Sequence, residues 1–142
     1  MNELIYKHRI IMALEGRGVR CQPHEDRIDK YIPDVSFSGN GTDGWIEVKY
    51  CETAPKQLAS IDHWTKGQEQ WLYDFGRVGS GHCYLLIGVG ADSHYLWGYN
   101  KLAMVRNILF KDAKLLCAAK ADGIVPFIQA FLSLTITKRR LL

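Results

Sequence analysis

The sequence predicts an α/β fold in which helices flank a mixed β-sheet. Three observations support this class: an amphipathic pattern at the N terminus, two strand patterns joined by a glycine-rich segment, and a nearly continuous apolar stretch from His82 to Val89. That stretch is typical of a strand covered on both faces of a sheet. Because helix and strand patterns succeed one another along the chain, we expect the helices to pack in layers against one sheet.

The first predicted helix covers Asn2 to Gly16. Its apolar residues recur at three- and four-residue spacings, as on one face of a helix, and the glycines at 16 and 18 end the pattern. Glu3 lies in the first turn, where the helix dipole favours an acidic residue whatever its further role.

Two strands joined by a glycine-rich turn come next. Asp34 to Phe37 begins one strand and Trp45 to Tyr50 forms the other, and the segment between them suits positive φ angles. Because side chains alternate along a strand, Glu47 and Lys49 share one face while their apolar neighbours face the core. Closing this hairpin brings Asp34 close to Glu47.

The later elements complete a core over residues 1–99 and a helical C-terminal segment over residues 100–142. The last apolar segment is about half the length that crosses a bilayer, so we interpret it as a core or dimer helix. In chain order, the predicted elements are a helix from Thr65 to about Val78, the apolar strand already described, a strand from His94 to Tyr99, a helix from Asn100 to Ala121, and a helix from Ile124 to Ile136 with Pro126 in its first turn.

Length and composition are those of one domain. The chain has 142 residues, of which 47% are hydrophobic, and its net charge of +3 is mild. Met1 is followed by neither a basic start nor a long apolar stretch, so we expect no signal peptide, no membrane association and a cytoplasmic location. The cysteines form no C-x-x-C pair and the histidines no H-x-x-x-H pattern, so a zinc site is not expected.

The candidate chemistry lies in Asp34, Glu47 and Lys49. Carboxylate oxygens are hard ligands that suit Mg²⁺ or Mn²⁺, and Mg²⁺ normally takes one or two protein carboxylates while water and phosphate fill its other positions. A lysine beside such a site would orient the attacking water or neutralise charge in phosphodiester hydrolysis. The alternative is an ordinary solvated strand face, with Asp34 as a strand-entry residue after Pro33.

These residues resemble a known nuclease motif. Ile32-Pro33-Asp34 followed by Ile46-Glu47-Val48-Lys49 is similar to the PD-(D/E)xK motif, and its order between a Glu-bearing first helix and a Gln-x-x-Trp helix resembles VRR-NUC-type nucleases and phage Holliday junction resolvases. The resemblance covers about residues 1–99 and implies a restriction-endonuclease-like core. It also implies the following roles: Asp34, Glu47 and the Val48 carbonyl bind the metal, Lys49 assists the attacking water, and Glu3 and Gln68 belong to the catalytic site.

Glu3 and Gln68 each have a structural alternative. The helix dipole accounts for Glu3 without a metal. Gln68 completes a capping box with Thr65 and could be required for that reason alone. Glu15, at the end of the first helix, is a competing carboxylate.

Basic and aromatic residues near the predicted site are candidates for nucleic-acid contact. Phosphate binding depends on local clustering of charge, and exposed rings can stack on unpaired bases. A solvated surface or a place in the core is the alternative for each. The basic residues are Arg17, Arg20, Arg27, Lys30, Lys56, Lys66 and Lys138 to Arg140, and the aromatic residues are Tyr31, Tyr50, Trp64 and Tyr73.

The expected function is a Mg²⁺- or Mn²⁺-dependent endonuclease that acts on DNA. The resolvase resemblance implies selectivity for branched DNA, a homodimer, and a phage-encoded enzyme acting in the host cytoplasm. Three alternatives stay open: a nuclease for single-stranded or flap DNA or of the restriction or repair type, a non-catalytic DNA-binding protein with this fold, and a structural interaction module.

Overall fold

The computed structural model describes residues 1–24, 30–39 and 41–140, with side chains described up to residue 135. The strands are β1 (Arg20–Pro23), β2 (Val35–Gly39), β3 (Thr42–Cys51), β4 (Cys83–Val89), β5 (Ser93–Gly98) and β6 (Ala119–Asp122). The helices are α1 (Glu3–Glu15), α2 (Lys66–Val78), α3 (Leu102–Val105), α4 (Phe110–Ala113) and α5 (Ile124–Arg140), with 3₁₀ turns at Leu58–Ser60, Tyr99–Lys101 and Lys114–Leu116.

Within the described ranges, six strands form one mixed sheet in the order β1-β2-β3-β4-β5-β6. β3 and β4 are parallel, whereas the other neighbouring strands pair antiparallel. A parallel pair needs a crossover connection, and α2 lies in that connection. The α/β class with a mixed sheet flanked by helices is therefore confirmed.

Two apolar clusters cover the two faces of the sheet. The first joins α1 and α5 to one face of β1, β2, β3 and β4, with Val35, Ile46 and Val48 among its strand residues. The second joins α2 and the short C-terminal helices to the opposite face of β4 and β5. The apolar stretch of β4 contributes to both clusters, as expected for a strand covered on both faces.

The C-terminal segment differs from the predicted run of helix. Only four-residue helices form at α3 and α4, and Ala119–Asp122 becomes strand β6, with Ala119 opposite Leu96 of β5. An added strand satisfies the backbone donors and acceptors along the edge of β5, which outweighs the helix propensity of this alanine-rich segment. β1 is also absent from the sequence prediction, because four residues carry too little periodicity to identify a strand.

α5 is a core helix of this chain. Its apolar residues Phe127, Ile128, Phe131 and Leu132 are buried against α1 and the sheet. The apolar pattern that suggested a core or dimer helix is thus accounted for by packing within one protomer. No helix in the described part of the chain is long and apolar enough to cross a membrane.

The β2–β3 turn is tighter than the glycine-rich segment suggested. β2 ends at Gly39 and β3 begins at Thr42. Between them Gly41 has a φ of 79°, the left-handed conformation that favours glycine. Asn40 lies outside the described residues. Because β3 already begins at Thr42, Gly44 belongs to this strand, where it lies opposite Phe37.

Substituting Gly44 by alanine should destabilise the hairpin. A methyl group at this position would overlap the His82 carbonyl oxygen and the Phe37 ring, and the carbonyl belongs to backbone that cannot rotate away. We expect Gly44→Ala to lower the free energy of unfolding by about 2 kcal/mol or more, measured by urea denaturation.

Gly16→Ala is the matched control. Gly16 has helical angles, and the nearest atom to an added methyl group would be the Met12 carbonyl oxygen at 3.4 Å. Its free energy of unfolding should be unchanged or up to about 1 kcal/mol higher. Equal effects of the two substitutions would contradict the close contact of Gly44 with the His82 carbonyl and the Phe37 ring.

Candidate active site

Asp34 and Glu47 face each other where β2 begins. β2 and β3 pair with Val35 opposite Ile46, so the residues one step outside this pair also lie opposite each other. Val35 and Ile46 point into the first apolar cluster, and the alternation of the strands turns Asp34 and Glu47 to the other face. Both acidic residues are nevertheless buried, at 7% and 2% exposure.

Hydrogen bonds hold the two carboxyl groups in place. The Asp34 backbone N–H donates to Glu47 Oε1 at 3.2 Å, and the Val48 backbone N–H donates to Asp34 Oδ2 at 2.9 Å. Burial and then the neighbouring Asp34 carboxylate raise the pKa of Glu47 to about 8, against the opposing effect of Lys49. Two buried acids this close favour a proton or a cation between them.

Lys49 supplies the positive charge of the site. Its side chain is 3% exposed, and Nζ lies 3.2 Å from Glu47 Oε2 and donates to the His63 carbonyl oxygen at 3.0 Å. His63 has a φ of 63°, an uncommon conformation for a residue other than glycine. A strained backbone at this point turns a carbonyl group toward Lys49, which fixes the ammonium beside the carboxylates.

Both polar atoms of the Gln68 side-chain amide form hydrogen bonds. Its Oε1 accepts from the Thr65 backbone N–H at 2.9 Å, while Thr65 Oγ1 accepts from the Gln68 N–H at 3.2 Å, which completes the predicted capping box. Its Nε2 donates to Glu47 Oε2 at 3.1 Å. The structural and the active-site interpretations of Gln68 are therefore compatible, because they use different atoms.

The Val48 side chain points into the core, but its backbone faces the site. The Val48 N–H donates to the side chain of Asp34, the residue just before β2. Since the N–H and C=O of one strand residue point to the same edge of the strand, the Val48 carbonyl is directed to that edge too. This is the orientation that metal binding by the carbonyl would require.

Glu3 lies near the site from α1. Asn2 caps the helix by accepting from the Ile5 N–H at 3.0 Å, so Glu3 is the first helical residue. Partial burial raises the pKa of the Glu3 carboxyl group, Asp34 acts in the same direction, and Lys49, His63 and Lys7 oppose it. These electrostatic interactions place Glu3 at the edge of the same cluster, whereas Glu15 lies exposed at the far end of α1.

Lys7 is a buried cation that the sequence prediction missed. It is 8% exposed and lies one helical turn after Glu3, whose carboxyl group it influences. The signal was its spacing, since residues 3, 7, 10 and 14 share one helix face and Ile10 and Leu14 are core residues. A lysine within such an apolar stripe indicates a buried charge that needs partners.

The predicted nucleic-acid contacts have mixed outcomes. Trp64 is buried in the second apolar cluster, and Tyr50 lies on the α1 face, where its hydroxyl donates to the Gly90 carbonyl oxygen. Tyr73 is exposed beside Arg77, and the Tyr31 ring packs against Gly67. Arg17, Arg20 and Lys66 are exposed, and Lys56 lies beside the loop before α4. Arg27 and the side chains of Lys138 to Arg140 lie outside the described part of the chain.

The donor set fits a hard divalent cation with few protein ligands. Among the described residues, no group of three or more His, Cys, Asp or Glu side chains is arranged to hold a metal ion. Two carboxyl groups and one carbonyl remain, all oxygen donors. Burial and the neighbouring Asp34 carboxylate raise the pKa of Glu47, so a cation would stabilise its charged form. A small cation that keeps several waters suits this set.

The fold places this cluster in a known structural context. The chain is similar to Archaeoglobus fulgidus Hjc, a Holliday junction resolvase from an archaeal hyperthermophile, with a TM-score of 0.60 and 17% identity over 80% of this chain and 93% of that one. The chain has the fold of this resolvase. No family model and no curated protein sequence matches it.

The pH dependence of stability tests the burial of Glu47. Its pKa is about 8 in the folded protein and 4.5 ordinarily, so the folded state binds the extra proton and the metal-free protein should lose stability as the pH rises through this range. We expect the melting temperature in EDTA to fall by several degrees between about pH 5 and about pH 9.

Two variants isolate the contribution of this carboxyl group. Glu47→Gln cannot ionise, so its melting temperature should change much less over the same pH range. Asp43→Asn, an exposed residue of the same strand, should keep the wild-type slope. A Glu47→Gln protein with the wild-type slope would place the titrating group elsewhere.

Proposed function

We propose that this protein is a metal-dependent endonuclease that hydrolyses phosphodiester bonds of DNA and prefers branched substrates. The observation that carries the proposal is the buried cluster of Asp34, Glu47 and Lys49, closed by Gln68, on a resolvase-like fold. Buried charged residues are costly and rarely persist without a role. Here Asp34, Glu47 and Lys49 converge next to α2, with Lys49 paired to Glu47 and Gln68 donating to the same carboxylate oxygen.

Asp34, Glu47 and the Val48 carbonyl are the proposed ligands of Mg²⁺ or Mn²⁺. A cation bound there would supply Lewis acidity at the phosphate and a bound water of lowered pKa. It would also stabilise the charged form of Glu47, which burial and Asp34 otherwise disfavour.

The chain's own residues position the reacting groups. Hydrolysis adds a water oxygen to phosphorus and breaks one P–O ester bond. Among the described contacts, two of the three Lys49 N–H donors are directed to Glu47 and the His63 carbonyl, which leaves one for the attacking water or a phosphate oxygen. Gln68 restricts the rotation of the Glu47 carboxyl group, and Glu3 adds negative charge at the edge of the site.

The preference for branched DNA rests on the fold similarity to a Holliday junction resolvase. A homodimer, which would present two sites to one junction, rests on the same similarity alone, because the apolar face of α5 is buried within the protomer. Single-stranded or flap DNA, and linear duplex as a restriction or repair substrate, are the competing substrates of the same site. The narrower relation to VRR-NUC-type or phage enzymes also stays a prediction.

A cleavage panel tests the proposal. Four-way junction, flap, single-stranded and linear duplex DNA are incubated with Mg²⁺, Mn²⁺, Ca²⁺ or EDTA. The wild-type protein should cut the junction fastest, in Mg²⁺ or Mn²⁺ only. Asp34→Asn, Glu47→Gln and Lys49→Ala should each lower the rate by about 100-fold or more, with junction binding largely retained because phosphate contacts elsewhere survive.

Glu15→Gln is the control for loss of a carboxylate, since Glu15 is exposed at the end of α1. Its rate should equal that of the wild type. Cleavage by Glu47→Gln at the parent rate would refute the assignment of the site. Junction binding without cleavage by the wild type under every metal condition would instead favour a non-catalytic DNA-binding protein.

The two roles of Gln68 can be separated with Thr65. Thr65→Ala removes the Thr65 Oγ1 acceptor of the capping box but leaves the Gln68–Glu47 bond. Gln68→Ala removes the Oε1 acceptor of the capping box together with the bond to Glu47. Each variant should lose about 1 kcal/mol of stability through the cap. Gln68→Ala should also cut DNA at least about 10-fold more slowly than Thr65→Ala.

A pH–rate profile gives an independent readout. Losing the Gln68 donor leaves the charged form of Glu47 less stabilised, so the acidic limb of the profile should move to higher pH in Gln68→Ala alone. Equal rates and equal profiles for the two variants would reduce Gln68 to a helix cap.

A further inference from the structure

The face of the sheet that carries Asp34 and Glu47 extends over β1 and β2. Within the described ranges, the second apolar cluster covers β4 and β5 on this face and includes no residue of β1 or β2. A cavity of about 330 Å³ lies there. Its lining combines the polar residues Arg20, Gln22, Ser36, Ser38 and Asp43 with Cys21, Phe37, Gly44 and Trp45. We call this cavity and its walls the strand groove.

The strand groove begins at the proposed active site. Ser36 is two residues from Asp34 on β2, and Trp45 is two residues from Glu47 on β3, so all four side chains point to the same face. Two strand residues span about 7 Å. A DNA strand with a phosphate at the carboxylates would therefore place its neighbouring nucleotide over Ser36 and Trp45.

Trp45 lines the strand groove, and further aromatic rings adjoin it. The Trp45 ring lies 5.0 Å from the His24 ring and 5.1 Å from the Trp71 ring, and Trp71 stacks on Phe75 with centroids 3.9 Å apart and planes 10° apart. Trp71 and Phe75 follow Gln68 along one side of α2. Gln68 touches Glu47 and Trp71 touches Trp45, so α2 runs beside β3 from the active site outward.

Core packing accounts for this aromatic row only in part: Trp45 and Trp71 pack against the second apolar cluster, whereas Phe75 does not belong to it. Phe75 is 49% exposed, and Trp45 and Trp71 are only partly buried, although Leu72 of the same helix is fully buried. Exposed large apolar side chains that form a contiguous patch indicate a binding surface. The five polar residues of the lining offer hydrogen-bond partners to the sugar, phosphate and base edges of a nucleotide, and the apolar face of a protein helix would leave these polar groups unpaired.

We infer that the aromatic row of Trp45, Trp71 and Phe75 stacks on an unpaired base of the DNA strand that enters the active site. This inference rests on the proposed function and narrows it to substrates with unpaired bases next to the cleavage point, such as the centre of a junction or the base of a flap. Aromatic stacking is sequence-tolerant, since every base offers a π face, so the strand groove selects unpaired structure and not sequence.

The test uses the full-length protein in EDTA, so that binding is measured without cleavage. The probe is a four-way junction with 2-aminopurine at the branch point, and a linear duplex carries the same base fully paired. Wild-type protein should quench the 2-aminopurine fluorescence of the junction and leave that of the duplex unchanged.

Phe75→Leu and Tyr73→Leu form the matched pair. Both replace an exposed aromatic residue of α2, but Tyr73 lies away from the strand groove beside Arg77. Phe75→Leu should weaken junction binding about 5- to 150-fold, the range expected for loss of one stacked base, and should lose the quenching. Tyr73→Leu and Phe75→Tyr should bind and quench like the wild type.

Each contrary result has a definite meaning. Junction binding and cleavage by the wild type, with equal affinity and quenching in Phe75→Leu and Tyr73→Leu, would overturn the base-stacking role and leave the nuclease proposal intact. Failure of the wild type to bind or cut any DNA would overturn the nuclease proposal itself. A dimer in sedimentation that Phe75→Leu alone dissociates, with unchanged DNA binding, would assign the strand groove to a second copy of the chain.

Discussion

The pairing register of β2 with β3 is the constraint on which the site depends. Val35 opposite Ile46 buries both residues in the α1–α5 core, and this alone turns Asp34 and Glu47 to the other face and sets them opposite each other. A slip of one residue would exchange the two faces, exposing the core pair and burying the acids among apolar side chains. The apolar core therefore specifies the position of the carboxyl groups, and the free energy that holds the acidic pair comes from hydrophobic burial on the opposite face.

The cluster is stabilised only in part by the groups around it. Lys49, the Gln68 amide and two backbone N–H groups all contact Asp34 or Glu47, yet the pKa of Glu47 stays well above its ordinary value because burial and the second carboxylate outweigh them. A purely structural ion pair would gain from a closer balance of charge. A buried carboxyl group with a strongly raised pKa beside a second carboxylate and a lysine is a candidate functional group.

The sequence could predict whatever depends on alternation and spacing. The period of two in β3 identified the shared face of Glu47 and Lys49, and the Thr65-x-x-Gln68 spacing identified the start of α2. It could not predict the His63 carbonyl contact, because that contact depends on a backbone φ of 63° that histidine does not favour. Nor could it predict β6, since Ala119–Asp122 is a strand only because β5 offers an edge to pair with. The sequence left two roles open for Gln68, helix capping and a place in the active site. In the structure its Oε1 accepts the capping hydrogen bond and its Nε2 donates to Glu47, so both interpretations hold.

The proposed catalytic and binding roles depend on one geometric relation, the alignment of α2 with β3. Three or four helical residues advance by about 4.5 to 6 Å, and two strand residues advance by about 7 Å, so side chains of the two elements can meet at two successive positions. Gln68 consequently meets Glu47, and Trp71, three residues further along α2, meets Trp45. A displacement of α2 by one turn would remove the Glu47 contact and break the aromatic row together. The position of an unpaired base relative to the carboxylates would then be set by the same packing that orients Glu47, so cleavage and recognition of branched structure would be coupled without a separate recognition domain.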